Sequence, residues 1–145
     1  MYTGILDLHN VVRWAVLVLG VVAVFGAWAG VFAGGRFSEG QAKIGRWFSI
    51  AFDVQVLLGL VLYFGLSPLT RAAFQDFGAA MRDSTLRFYA IEHALMMIVA
   101  AVLVHIGLSR SKKSGKAMPA AILYTVAAVL VGVAIPWGAR LFPGL

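Results

Sequence analysis

The chain holds three histidines and no cysteine. Any metal chemistry therefore rests on imidazole or carboxylate, because disulfides, thiolate metal sites and covalent c-type haem attachment are all excluded. His9 and His93 stand about one helical turn inside two long apolar segments that enter from the same side. Two facing imidazoles at matched depth suit the iron of one non-covalent haem b. The same positions also admit interfacial histidines bonded to water or headgroups, or a proton-handling or other metal role. His105 is twelve residues beyond His93, has no histidine partner and is expected to snorkel toward the far interface.

The neighbours of this pair narrow the chemistry. Arg13 follows His9 by four residues, so it shares a helix face one turn deeper. A guanidinium there needs a carboxylate, and Glu92 and Asp53 are the expected partners. Glu92 has a second expected role, accepting the Nδ1–H of His9 and so orienting the ring. Met97 follows His93 by four residues, with Ala100 and Ala101 beyond it. Small residues below a ligand leave space for a flat ring, while Met97 itself also suits core filling.

Only a helical membrane bundle can position these groups. The chain has 145 residues, 61% hydrophobic and 12% charged, with a mean hydropathy of +0.90. Soluble domains carry about 25% charged residues. Four apolar segments, about residues 5–33, 47–66, 88–108 and 118–137, are expected as transmembrane helices in one membrane domain spanning residues 1–145. Each reaches the roughly 20 residues that cross about 30 Å of hydrocarbon. The fold class is all-α, a four-transmembrane-helix up-and-down bundle. The first segment lacks a basic leader and reads as a retained span.

Charge sets the direction. Arg36, Lys43, Arg46, Arg110, Lys112, Lys113 and Lys116 lie in the first and third loops and supply seven of the twelve basic residues. The positive-inside rule places those loops in the cytoplasm and both termini in the periplasm of a bacterial inner membrane. Arg140 is a charge on the outer side. The formal charge of +6 thus reads as topology and lipid contact rather than as nucleic-acid binding. Between the second and third spans, Leu69, Ala73, Phe77, Ala80 and Met81 recur at helical spacing. They predict a short amphipathic interfacial helix over about residues 68–82, with Ser67 as its cap. It is either a lid over helix ends or the roof of a pocket. Asp83 and Ser84 offer a cap for the third span. Gly26 and Gly30 allow close helix contact.

The combination Leu8-His9-Asn10-Val11-Val12-Arg13-Trp14, the run from Phe52 to Tyr63 with Gln55 and Gly59, the segment Met81 to Phe88, and Glu92-His93-Ala94-Leu95-Met96-Met97 resembles a group of small bacterial integral membrane proteins that are cytochrome b-like. More distantly it resembles haem proteins of the cytochrome b561 kind, which carry two haems on four histidines. With three histidines, only two of them at matched depth, the resemblance implies a single haem near the outer face. The expected function is electron transfer, or redox or haem sensing, with a quinone in the bilayer or a periplasmic redox protein as partner. Two other readings stay open: a non-haem accessory subunit of a larger complex or oligomer, and a small transporter or ion pathway. No enzymatic turnover is assigned.

Overall fold

The structure is a computed structural model and describes residues 1–138. Arg140, counted above among the outer charges, lies outside the described residues. Four long helices dominate: α1 (Tyr2–Phe32), α2 (Glu39–Val61), α6 (His93–Ser114) and α7 (Met118–Ala134). Three short ones, α3 (Pro68–Gln75), α4 (Phe77–Arg82) and α5 (Ser84–Arg87), join α2 to α6. Two π-helical turns, Leu62–Leu66 and Phe88–Glu92, extend α2 and precede α6. Among the described residues the only β pairing is a single bridge between Arg36 and Lys116.

Three helical rods, Tyr2–Phe32, Glu39–Leu66 and Ser84–Ser114, are long and apolar enough to cross a membrane. Between 22% and 28% of their most apolar stretches is buried inside the protein, so most of that apolar surface faces outward. Phe25, Leu57, Leu95 and Val129 are typical of it. Such a coat is costly in water and neutral in lipid. α7 is apolar too, but shorter at 17 residues.

The long helices close into a ring. α1 packs on α2 and α7, and α6 packs on α2 and α7, which leaves α1–α6 and α2–α7 as the diagonals. Close approach follows from small side chains. Ala100, Ala101, Ala120, Ala121 and Ala127 are all buried at the contacts. The α2–α7 diagonal is filled by Phe48 and Tyr124, whose ring centres are 5.7 Å apart and nearly perpendicular.

One end is tied by its backbone. Phe37 N–H donates to Gly115 O at 2.8 Å, and Ala117 N–H donates to Gly35 O at 2.9 Å. The first and third loops therefore meet, with Arg36 and Lys116 in them and the other five basic residues in the adjoining ends of α2 and α6. Gly115 ends α6 in the left-handed region at φ 70°, which favours glycine. Ser38 and Gln41 cap α2 reciprocally. Gln41 Nε2 also donates to Gly26 O at 2.6 Å. A side chain at Gly30 would strike that amide, whereas one at Gly26 would meet nothing. The contact therefore needs Gly30, and needs only the carbonyl of Gly26. The N-terminus of α7 has no cap of its own. Ser111 Oγ of α6 accepts from Ala120 N–H at 2.8 Å instead.

The segment 68–82 is two helices where one was expected. Asp76 leaves helical geometry at φ −143° and caps α4 through Ala79 N–H. The break places Ala73 and Ala80 against Ala90, while Phe74 and Phe77 remain about half exposed.

A β-carbon at Gly45 would crowd the Tyr124 hydroxyl and Leu108. Gly45→Ala is expected to destabilise by about 1–3 kcal/mol through overpacking. Its thermal unfolding in detergent should fall clearly below that of Gly26→Ala, which meets no neighbour.

Candidate functional site

At the end of the ring opposite the tied loops lies a cavity of about 650 Å³. Ligand pockets span about 300–1,000 Å³. Phe52 and Val16 line its inner part, while Leu69 and Thr70 of α3 and both π turns line the rest. Residues of α3 thus contribute to the cavity wall.

The two π turns are coupled by one side chain. Tyr63 Oη donates to Ala90 O at 2.6 Å. Thr70 Oγ1 of α3 donates to Tyr63 O at 2.7 Å, and Arg71 donates to Gly65 O. A π turn inserts one residue and rotates the following side chains by about 100°. Its distorted backbone leaves carbonyls needing partners, and here side chains from the short helices and from Tyr63 supply them. Periodicity in the sequence carries no sign of these turns.

His9 and His93 both line the cavity, projecting from diagonal helices that do not themselves pack together. Their ring centres are 6.4 Å apart, with planes at 66°. His93 Nδ1 donates to the carbonyl of Ala134, the last residue of α7, at 2.7 Å. A helix end leaves its last carbonyls without intrahelical partners, so this bond serves both groups. It fixes the tautomer of His93 and leaves Nε2 as the free lone pair. Phe88 and Tyr89 pack beside the His93 ring, with centres at 5.8 Å and 6.3 Å. On the other side, a β-carbon at Gly59 would lie 3.3 Å from His9 Cε1, so a glycine there makes room for the ring.

Three buried polar atoms at the cavity have no hydrogen-bond partner among the described residues: His9 Nδ1, Asn10 Nδ2 and Gln55 Oε1. Buried groups are nearly always satisfied, so three in one cavity mark a place for a ligand or ordered water. The polar amides Asn10 and Gln55 in apolar helices were the sequence signal for this. Both stand in the motifs quoted above, Asn10 in that of α1 and Gln55 in that of α2.

Arg13 and Met97 also line the cavity. Arg13 is buried, with its guanidinium carbon 5.9 Å from the centre of the Trp14 ring. The two acids expected beside Arg13 are engaged elsewhere. Glu92 pairs with Arg87 at 2.8 Å, about two-fifths exposed and outside the cavity lining. The π turn that Glu92 closes, and the cap at Asp83, bring Arg87 to it. Glu92 therefore does not orient His9. Asp53 pairs with His105 at 2.7 Å on the outer surface of the ring. This also replaces the snorkelling expected for His105.

The two imidazoles can be tested against a metal. Two imidazoles on opposite sides of one ion, with metal–nitrogen bonds of about 2.0–2.1 Å and ring centres about 1.1 Å behind the nitrogens, have centres about 6.3 Å apart. The observed 6.4 Å equals that spacing and also lies within the roughly 4.5–7 Å of an ordinary edge-to-face ring contact. Among the described residues no three His, Cys, Asp or Glu side chains gather into a metal site. A metal held by this pair would have to bring its other ligands with it, as the iron of a porphyrin does.

Tyr63→Phe removes the bond between the π turns and leaves Ala90 O wanting a donor, a cost of about 1–3 kcal/mol. Hydrogen exchange should rise in residues 62–66 and 88–92 and stay unchanged in residues 34–38. Uniform change along the chain would show that the bond does not organise this end. Comparison of the chain with protein-family models, curated proteins and solved structures gave no match.

Proposed function

We propose that the chain crosses a bacterial inner membrane four times and holds one haem b between His9 and His93, near the outer face, as an electron-transfer protein. The observation that carries this reading is a pair of imidazoles with centres 6.4 Å apart that both line a 650 Å³ cavity. The bond from His93 to Ala134 supports it, because it points one defined nitrogen lone pair away from the helix end. Bound there, haem supplies a reversible one-electron couple. The chain's residues hold it and shape its surroundings. His9 and His93 would hold its iron. Gly59 gives His9 its room, Met97 packs one turn below His93, and Asn10 and Gln55 offer hydrogen bonds. α3, read with α4 as the interfacial helices, lines the cavity through Leu69 and Thr70 and would limit water there. A quinone in the bilayer or a periplasmic redox protein is the exchange partner.

The fourth crossing is supported by α7, apolar and packed between α1 and α6 in the ring. Its 17 residues are at the short end of the usual range of about 17–25. Orientation is supported by the seven basic residues in the two loops that meet at one end and in the helix ends beside them. A reporter fused after Leu145 is expected to be active only in periplasmic form. Activity of a cytoplasmic reporter there would reverse the orientation.

A reduced-minus-oxidised spectrum of protein from haem-replete cells is expected to show low-spin haem b at one equivalent per chain. His9→Ala and His93→Ala should each abolish it, and His105→Ala should retain it. Colourless wild-type protein would overturn the haem reading and favour a non-haem accessory subunit. Loss in His105→Ala with retention in His9→Ala would move the haem to the opposite end.

A further inference from the structure

Asp53 and His105 form a hydrogen-bonded pair that the proposed haem site does not use. His105 Nε2 and Asp53 Oδ1 are 2.7 Å apart, and their side chains are 49% and 48% exposed. They bridge α2 and α6, both parts of rods long and apolar enough to span a membrane. Asp53 is near the middle of the Glu39–Leu66 rod, so this exposure faces hydrocarbon rather than water. Around the pair the surface is apolar: Ile50, Val54 and Leu57 on α2, Val102 and Ile106 on α6. Ionisable groups in a span almost always face the bundle interior or a cavity. These face outward, each with one polar atom (Asp53 Oδ2 and His105 Nδ1) for which the described residues provide no hydrogen bond.

We infer that this seam is the interface of a homodimer, in which each copy's Asp53 meets the other copy's His105. Symmetry makes the match. Two copies inserted in the same direction can be related by a two-fold axis along the membrane normal. Because Asp53 and His105 bond to each other, they lie at one depth, and that axis preserves depth. Turning a copy to face its twin exchanges left and right, so the α2 side of one lies against the α6 side of the other. The acid then falls opposite the imidazole twice. The pair is self-complementary, and the spare oxygen of each Asp53 and spare nitrogen of each His105 find partners. A different protein would have to supply the same acid and base at the same depth by separate means. Leu57 and Val102 each lie one turn from the pair toward the cavity end, because α2 and α6 run in opposite directions between Tyr63–Ala90 and Asp53–His105. Across the two-fold axis they oppose one another.

The absence of cysteine makes the test direct. Differently tagged Leu57→Cys and Val102→Cys chains are co-expressed, and native membranes are treated with a mild oxidant. A disulfide-linked pair carrying both tags is expected. Val18→Cys with Val129→Cys, exposed on α1 and α7, should give at least fivefold less. Asp53→Asn and His105→Gln, each placed in both chains, should reduce the Leu57–Val102 yield at least threefold, with monomer yield in detergent checking that each variant folds. Single-molecule photobleaching of labelled wild-type protein in nanodiscs should show two steps. One-step bleaching without cross-linking, preferential linkage at Val18–Val129, or linkage of the Leu57→Cys chain only to a different protein would overturn the inference. So would unchanged cross-linking in both folded polar variants.

Discussion

The bond from His93 Nδ1 to the carbonyl of Ala134 joins the end of α7 to the start of α6, and the cavity half of the molecule is organised around it. In hydrocarbon neither group has water to turn to. The carbonyl is left over because α7 stops before Pro136, and the imidazole nitrogen is left over because its helix is apolar. Each satisfies the other, and the outcome is chemical as well as structural: His93 is held in one tautomer with one lone pair free. A ring that only needed burying could take either tautomer.

The same requirement explains why the short helices lie where they do. π turns at Leu62–Leu66 and Phe88–Glu92 disturb two rods at one level, and their carbonyls must be met. Thr70, Arg71 and Tyr63 meet them, so α3 is tied to α2 and α2 to the turn before α6. A segment that lines the cavity is thus also part of the hydrogen bonding that holds the π turns. Pocket and roof depend on one another, and a change in either is felt by both.

Much of this architecture was legible in residue type. The apolar runs mark the long helices, the basic loops mark the end at which they meet, and Ser67 and Asp83 read as caps from local chemistry alone. His9 and His93 were legible as a pair because counting residues from each helix start gives depth. Partnerships that depend on rotation about a helix axis were not legible. Glu92 looked available to Arg13 or His9, but a π turn swings it to Arg87. Asp53 looked buried, but it faces outward to His105 across two helices whose relative rotation no single-helix pattern contains. The Ala134 carbonyl could not be found either, because a backbone acceptor has no residue signature.

The ring also shows why the cavity opens at this level and not beside the tied loops. Helices on a diagonal do not pack together, so whatever fills the centre must be reached by side chains. On the α2–α7 diagonal Phe48 and Tyr124 meet at 5.7 Å and close the centre with aromatic rings. On the α1–α6 diagonal His9 and His93 approach to 6.4 Å, with Gly59 and Ala94 beside them instead of larger groups. Phe and Tyr fill space by themselves, and their contact is complete without a third party. Two imidazoles of smaller volume, surrounded by glycine, alanine and unsatisfied amides, leave their diagonal incomplete. A protein that needed only stability at this level would gain more from another aromatic pair, since each buried unsatisfied amide costs about 1–3 kcal/mol. Keeping the incomplete arrangement makes physical sense when something else completes it, and this is the role proposed above for a haem held by His9 and His93.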